Sequence, residues 1–427
     1  MRVLFVTNFY PPAPYGWGYM QLCEEVADGL FEEGHTVAVL TSTYGSDEET
    51  QHHPYPVHRR LHLDPDWQRG APGMWQFFVG RRQRARHGVS ELQRLVSAFA
   101  PDVIFIWHYI GLSREILQAA EQMTEIPTVY YLAAYHPELS EEYAAFWRTP
   151  PVHPLAKLVK PVLRRYALSM LRQEGKPIRL RYDNVICVSD YVRERLVRKV
   201  LISPDAVTIH NGVDLHQFAP RQEGRNRAAQ GFRSVVAGNL KHEKGVHTVI
   251  EALAHLKREQ RLDGITLSLV GGGPAAYRAF LKNLVKEHGL SPTVEFRGQV
   301  PREQMPPIIR QYNTLILPSE YDEPLARSMQ EAMAMGLLVI GTTTGGSGEL
   351  LKHQKTGLAF RAGDALSLAK QLNYAKDHPA EMERYARAGQ QEVEAHFNIE
   401  RTIEQIEDYL QHVLDTQRGH SVSGGRS

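Results

Sequence analysis

Cysteine is almost missing from this chain: 427 residues carry two, Cys23 and Cys187. The two could in principle pair with each other, but inside apolar segments they read as buried, reduced side chains. Long apolar runs are missing as well. None approaches the roughly 18–20 residues that a membrane-spanning helix requires, so no such helix is expected. An excess of one charge is also lacking, since 49 Lys and Arg stand against 48 Asp and Glu, a formal net charge of +1. That balance argues against a protein devoted to nucleic acid. The opening residues Met1 to Thr7 run too soon into Pro11-Pro12 to read as a signal peptide and are expected to form a first buried strand. The cytoplasm is the expected compartment, with docking to the inner membrane face as an option.

What is present is the rhythm of an α/β protein. Short β-branched and aromatic runs alternate with helical patterns. Strands are expected at 2–7, 36–41, 57–63, 102–107, 128–132, 184–189 and 207–210, then again at 234–237, 266–270, 294–297, 314–317 and 338–341. Runs such as Val103-Ile104-Phe105-Ile106 are apolar throughout, as in a parallel sheet covered on both faces. A polar stretch at 219–231 interrupts the pattern and reads as a linker. Two consecutive βα arrays imply two Rossmann-like, doubly wound domains, at 1–214 and 215–395. A helix at 396–416 is expected to return to the first domain, ahead of a disordered tail at 417–427. Ligands in such folds bind beyond the carboxyl ends of the strands, so a cleft between the domains is the expected active site.

Three loops carry chemistry. One strand ends at Pro318-Ser319, continues as Glu320-Tyr321-Asp322-Glu323-Pro324, and enters a helix expected to start near Leu325 and stop at Gly336. The first backbone amides, on Leu325, Ala326 and Arg327, would make an anion site suited to a diphosphate. Glu323 precedes that helix and Glu331 lies within it, placed to accept two hydrogen bonds from a ribose diol. A plain surface loop followed by a helix with an exposed glutamate is the alternative. A second loop runs Gly238-Asn239-Leu240-Lys241-His242-Glu243-Lys244-Gly245, where Lys244 can meet phosphate as a point charge. The third, Asn8 to Tyr19, contains Pro11-Pro12 and Gly16-Trp17-Gly18.

Glu323 and Glu331, with seven residues between them, Pro-Ser before them and Glu-Ala-Met-Ala-x-Gly after, resemble the signature of the retaining family-4 glycosyltransferases of GT-B fold (glycosyltransferase group 1). Gly345-Gly346-Ser347-Gly348-Glu349, Lys355-Thr356-Gly357-Leu358, Gly34-His35-Thr36-Val37 and Asn211-Gly212-Val213-Asp214 resemble further landmarks of that family. The last would close the first domain. The resemblance touches both halves, from residue 1 to about residue 400. It implies a GT-B fold, a nucleotide-sugar donor against the second domain and a hydroxyl acceptor, a glycan or lipid-linked glycan, against the first. It implies that Glu323 contacts the transferred sugar, that Glu331 holds the ribose, that Lys244 grips the diphosphate and that the Gly18 backbone approaches the donor. Where the family usually has an arginine, this chain has Asn239, and Lys241, His242 or Arg327 would have to compensate. Many family members also place a histidine near the reacting sugar. Direct alignment puts that position at Ala133, with His136 three residues later. His136 is thus a candidate catalytic residue, a surface histidine being the alternative, and His108 is a candidate for acceptor contact. No metal or other cofactor is implied, because Lys244 and the helix terminus can serve the leaving diphosphate.

Rival readings remain. Gly271-x-Gly273-x-x-Ala276 follows a strand, with Glu295 about twenty residues on, which suggests an NAD-dependent oxidoreductase. It lies in the second strand of its array, however, whereas that fingerprint normally opens a domain. A non-catalytic nucleotide-sugar-binding protein, a glucosyl phosphorylase or a sugar-nucleotide epimerase would share the architecture. Asp64-Pro65-Asp66 resembles a metal-binding Asp-x-Asp without the architecture that accompanies one. Finally Lys157, Lys160, Arg164, Arg165, Arg172, Lys176, Arg179 and Arg181 fall in an amphipathic stretch. That stretch is either a solvated face or a peripheral contact with anionic membrane.

Overall fold

A computed structural model describes residues 1–13, 18–44, 53–64, 72–139, 142–151, 154–173, 177–219 and 232–423. The chain divides into two compact units. The first comprises Met1–Val188, Val192–Ile209 and Ile403–Ser427, and the second Ser189–Tyr191 and His210–Thr402.

The first unit is built on a parallel sheet of β1 (Arg2–Val6), β2 (Thr36–Ser42), β3 (Val57–Leu61), β4 (Val103–Ile106), β5 (Thr128–Leu132), β6 (Asn184–Cys187) and β7 (Val207–Thr208). Their order is β3-β2-β1-β4-β5-β6-β7. β4 and β5 are buried along their whole length, which is why they read as unbroken apolar runs. The helix Gly18–Glu32 lays Leu22, Cys23, Val26 and Leu30 into this core. Both cysteines are buried thiols. The helix Ile399–Ser423 contributes its length from Ile403 onward to the same unit. A Cβ on Gly29 would stand 2.3 Å from Ile403 Cδ1, and His35 Nε2 lies 2.8 Å from Glu407. The tail expected at 417–427 is therefore helical through Ser423. Glycine and serine content misled there, because the periodic residues before Arg418 carry the helix onward.

The second unit repeats the plan with β8 (Phe232–Ala237), β9 (Ile265–Val270), β10 (Val294–Gly298), β11 (Thr314–Leu317), β12 (Leu338–Gly341) and β13 (Leu358–Ala359), in the order β10-β9-β8-β11-β12-β13. All described pairings are parallel. Its core joins Leu267 and Leu269 of β9 and Ile340 of β12 to Leu253 and Leu372 on the flanking helices. The boundary falls before His210, not after Asp214. Asn211 is drawn into the second unit by Gln330, whose Oε1 accepts from Asn211 Nδ2 at 2.8 Å and whose Nε2 donates to the Asn211 backbone carbonyl at 2.6 Å, and Val213 bridges Asn398. The linker expected at 219–231 lies, from 220 on, outside the described residues. Each sheet reverses strand order once, between β1 and β4 and between β8 and β11. Such reversals are where doubly wound sheets open a crevice for ligands.

Candidate active site

The loops leaving β8 and β11 meet at the reversal point of the second sheet. The Glu320 amide donates to the Glu243 carbonyl at 2.9 Å, and Gly245, at φ 65°, has no room for a side chain, since a Cβ would lie 2.0 Å from the Pro318 carbonyl oxygen. Glycine is required there on both counts. The two loops together hold one charged pair. Lys244 Nζ stands 2.7 Å from Glu323 Oε1 and 3.1 Å from the Tyr321 hydroxyl, which itself donates to Glu323 Oε2 at 2.6 Å. Ser319 Oγ donates to the same carboxylate. Glu323 is only 4% exposed, and these donors satisfy the carboxylate oxygens that burial takes from water.

The backbone around Glu323 departs from the expected helix entrance. Glu323 is extended, as befits a residue before proline, and bridges Gly345 in parallel. A Cβ on Gly345 would sit 2.2 Å from the Glu323 carbonyl oxygen, and one on Gly346 would sit 1.9 Å from that of Pro324. The Gly-Gly pair is thus the floor on which Glu323-Pro324 rests. This long-range bridge delays the helix to Arg327–Ala334, with Ala326 as its N-cap. Leu325 and Ala326 therefore precede the helix as buried, non-helical residues. The amides of Arg327 and Ser328 belong to the set that a helix leaves without an internal acceptor.

Glu331, one turn into that helix and 3% exposed, is not a surface glutamate. Arg302 Nη2 lies 2.5 Å from its Oε1, an ion pair without the alignment of a good hydrogen bond, and Arg327 Nε stands farther off at 3.9 Å. Arg302 also covers the Phe218 ring at 4.8 Å. The sequence analysis missed Arg302, which sits alone just past β10 with no motif around it. Asn239 is half-buried. Of its suggested substitutes, Lys241 lies 4.0 Å from Glu243 and Arg327 faces Glu331.

The glycines of the rival dinucleotide fingerprint have a packing explanation. A Cβ on Gly271 would lie 1.7 Å from the Gly238 carbonyl oxygen, and one on Gly273 would lie 2.1 Å from that of Leu240. The Gly238 amide donates to Val270 O at 2.9 Å and the Leu240 amide to Gly272 O at 2.6 Å. Glu349, in the small-residue element, accepts from the amides of Asp190 and Tyr191 and lies 2.7 Å from His210 Nε2. It ties backbone together.

Residues at the reversal point of the first sheet are of another kind. His136 heads a short 3-10 turn after β5 and is buried rather than on the surface. Its ring meets that of His108, which follows β4, at 4.5 Å, and Tyr19, beside Gly18, stacks on His108 at 6.0 Å. Gly18 opens its helix as expected. Burial lowers the His108 pKa to about 4 and, with His108 adjacent, holds His136 well below the usual imidazole value. Asn8 Oδ1, Trp107 Nε1, His108 Nδ1 and both His136 ring nitrogens are buried with no hydrogen-bonding partner among the described residues. Asp64 is buried in a two-point pair with Arg84, both contacts at 3.0 Å, while Pro65 and Asp66 lie outside the described residues.

Two sets of side chains among the described residues bring ligand atoms within 4.8 Å of one another, His242 with His247 and Glu320, and Asp190 with His210 and Glu349. Either could hold a divalent cation. Each is already bonded internally, His247 to Glu320 at 3.2 Å and to the Tyr277 hydroxyl at 2.9 Å.

Comparison with known proteins places both halves of the chain among relatives. The profile of the group 1 glycosyl transferases matches residues 222–392, and that of Glycosyltransferase Family 4 matches residues 21–217. A glycogen synthase of Mycobacterium tuberculosis is 25% identical over 413 residues, covering 93% of this chain and 91% of its own. A GDP-mannose-dependent alpha-(1-6)-phosphatidylinositol monomannoside mannosyltransferase of the same organism is 30% identical over 262 residues, 57% of this chain and 64% of its own. Anabaena HepE, solved with UDP and glucose, superposes with a TM-score of 0.69 at 20% identity, covering 96% of this chain and all of its own, a likeness of fold. With two Rossmann-like parallel sheets and both profiles matched, the chain belongs to the family-4, group 1 glycosyltransferases and has the GT-B fold.

Proposed function

We propose that the protein moves a hexosyl group from a nucleoside diphosphate sugar to a hydroxyl of a glycan or lipid-linked glycan, with retention of anomeric configuration. The observation that carries this reading is the contact of Lys244 with Glu323 at the reversal point of the second sheet. A cation and a carboxylate held together suit a substrate with an anionic leaving group and a neutral, hydroxyl-rich group to be transferred. Lys244 and the amides at the head of Arg327–Ala334 meet the charge that develops on the departing diphosphate. Glu323 orients the sugar and supports the positive character of its anomeric carbon. Glu331, steadied by Arg302, accepts from the ribose hydroxyls. Asn239, Leu325, Ala326 and Gly18 supply backbone or polar contact to the donor. His136, with His108, provides the acceptor side, and the leaving oxygen takes the acceptor proton. The mannosyltransferase relative is GDP-mannose-dependent by name, and HepE was solved with UDP and glucose, which supports a nucleotide sugar as co-substrate.

In this reading no metal is required and the reaction takes place in the cytoplasm, with no nucleic acid involved. Among the described residues no helix is long and apolar enough to cross a membrane. The test is to find the donor by thermal shift with UDP-, GDP- and ADP-sugars, then to follow its consumption with and without acceptor. Transfer to a hydroxyl, with the product anomer matching the donor by NMR, is expected, and EDTA should leave the rate unchanged. An inverted anomer overturns retention. Binding without consumption favours the non-catalytic binder, which the departure at Asn239 motivates.

A further inference from the structure

The helix Pro154–Gln173 contains five Lys or Arg and no acidic residue, and the stretch from Pro72 to Ser90 also has none. At 100° per residue the longer helix divides into three strips. Leu163, Ala167 and Leu171 turn inward onto a small cluster with Met74, Phe77 and Trp147. Leu158, Val159, Val162 and Tyr166 form a second strip that faces outward, with Leu158 77% and Val162 73% exposed. Lys157, Arg164, Arg165 and Arg172, all exposed, run along the other flank of that strip. Lys160 belongs to none of this. It is buried, donating to Thr149 O at 2.9 Å, with its Nζ 4.2 Å from the centre of the Phe146 ring.

The helix Pro72–Phe78 lies alongside, its Phe78 ring stacked on Tyr166 at 5.9 Å. It adds Trp75, 62% exposed, and the following Val79, 66% exposed. Six of the eleven large hydrophobic side chains exposed among the described residues are thus on these two neighbouring segments. Solvated helix faces do not gather aliphatic side chains in this way.

We infer that this face docks on an anionic lipid bilayer, with Trp75, Leu158 and Val162 entering the interfacial layer while Lys157, Arg164, Arg165 and Arg172 meet lipid phosphates. An aliphatic strip bordered by cations and a tryptophan has the chemistry of a helix lying in the plane of an interface. A second copy of the chain fits less well. Two-fold pairing would set this cation row against itself, with no acid within the two segments to offset it. Nucleic acid would engage the cations and leave the aliphatic strip in water. Taken with the transfer reading above, a docked enzyme would act on acceptors resident in that leaflet. The docking itself does not depend on turnover.

The test is flotation of the full-length protein with vesicles of phosphatidylcholine alone and of phosphatidylcholine with phosphatidylglycerol in equal parts. Binding is expected only to the anionic vesicles, weakening roughly fivefold for each cation removed. Arg164→Gln with Arg165→Gln should therefore lower affinity more than tenfold. Leu158→Ser with Val162→Ser should abolish flotation even at low salt, and the emission shift on vesicle binding should vanish in Trp75→Phe. All of these positions are exposed, so thermal melts and donor turnover without vesicles should match the parent protein. Equal binding to neutral and anionic vesicles overturns the inference, as does absence of binding to either. So does a serine pair that converts a solution dimer to monomers, or one that still floats. Loss of turnover with flotation intact would instead count against the transfer reading alone.

Discussion

Each sheet reverses its strand order once, and the side chains gathered at the two reversals differ in kind. Beyond β8 and β11 the second unit holds two buried carboxylates, each answered by a half-buried cation: Glu323 by Lys244 and Glu331 by Arg302 from the loop after β10. Beyond β1, β4 and β5 the first unit holds two imidazoles whose burial keeps them uncharged, amid polar atoms without partners. One backbone plan thus supports an electrostatic site and a neutral one. The difference lies in short loops, not in the sheets. Under the proposed reading, the charged site serves a group that departs as an anion. The neutral site is able to exchange hydrogen bonds with hydroxyls at little electrostatic cost.

The sharpest way to break this contrast is to remove charge from the second unit without changing shape. Glu323→Gln should lower kcat by roughly 10²–10³ with a small change in donor KM, measured by donor turnover. Unchanged kinetics would take Glu323 out of the reaction. Next in size is Gly271→Ala. Its φ of 146° and the 1.7 Å approach to Gly238 O leave no space, so calorimetry should show a loss of at least ~2 kcal/mol, together with weaker donor binding from the displaced 238–245 loop. Arg302→Met should cost about 3 kcal/mol by leaving Glu331 buried without its closest cation. Adding Glu331→Gln should recover much of that stability without restoring nucleotide affinity. A double variant no more stable than Arg302→Met alone would mean the pair is not coupled.

The smallest expected effect probes the neutral site. An imidazole titrates near 6.5 when unfolded, whereas burial puts His108 at about 4. Between those values the unfolded chain binds more protons. The stability that the histidines contribute is then complete above pH 6.5 and is lost as pH falls toward 4. Glu24 works in the opposite direction, since burial and Asp28 raise it from 4.5 to about 7, so its contribution declines as pH rises through that range. Comparing melts of the parent and of His108→Gln with His136→Gln at pH 7 and pH 5 isolates the histidine part. The variant should lose less Tm on acidification.

The sequence announced the sheets because fully buried parallel strands are apolar from end to end, as Val103 to Ile106 are. Only the two-residue β13 escaped notice, being too short for any pattern. The carboxylates and Lys244 were legible from their place at strand exits. The helix entrance was not, because the Glu323–Gly345 bridge that delays it joins residues twenty-two positions apart. Arg302 was hidden for a related reason. Its partner is chosen by tertiary proximity, and nothing in Pro-Arg-Glu-Gln marks one arginine as the counterion of Glu331. For His136 the sequence left a site position and a surface position both open, and the turn it heads folds inward onto His108.

The first unit is discontinuous, and its last piece is the far end of the chain. Gly29 is bare of a side chain where Ile403 presses in, and His35 reaches Glu407. A stop codon after residue 398 would therefore injure the amino-terminal unit, stripping a helix from its flank, while sparing the sheet that carries Glu323. For the same reason a fragment ending at Ile209 should be expressed together with a peptide spanning 399–423 if it is to fold as it does here.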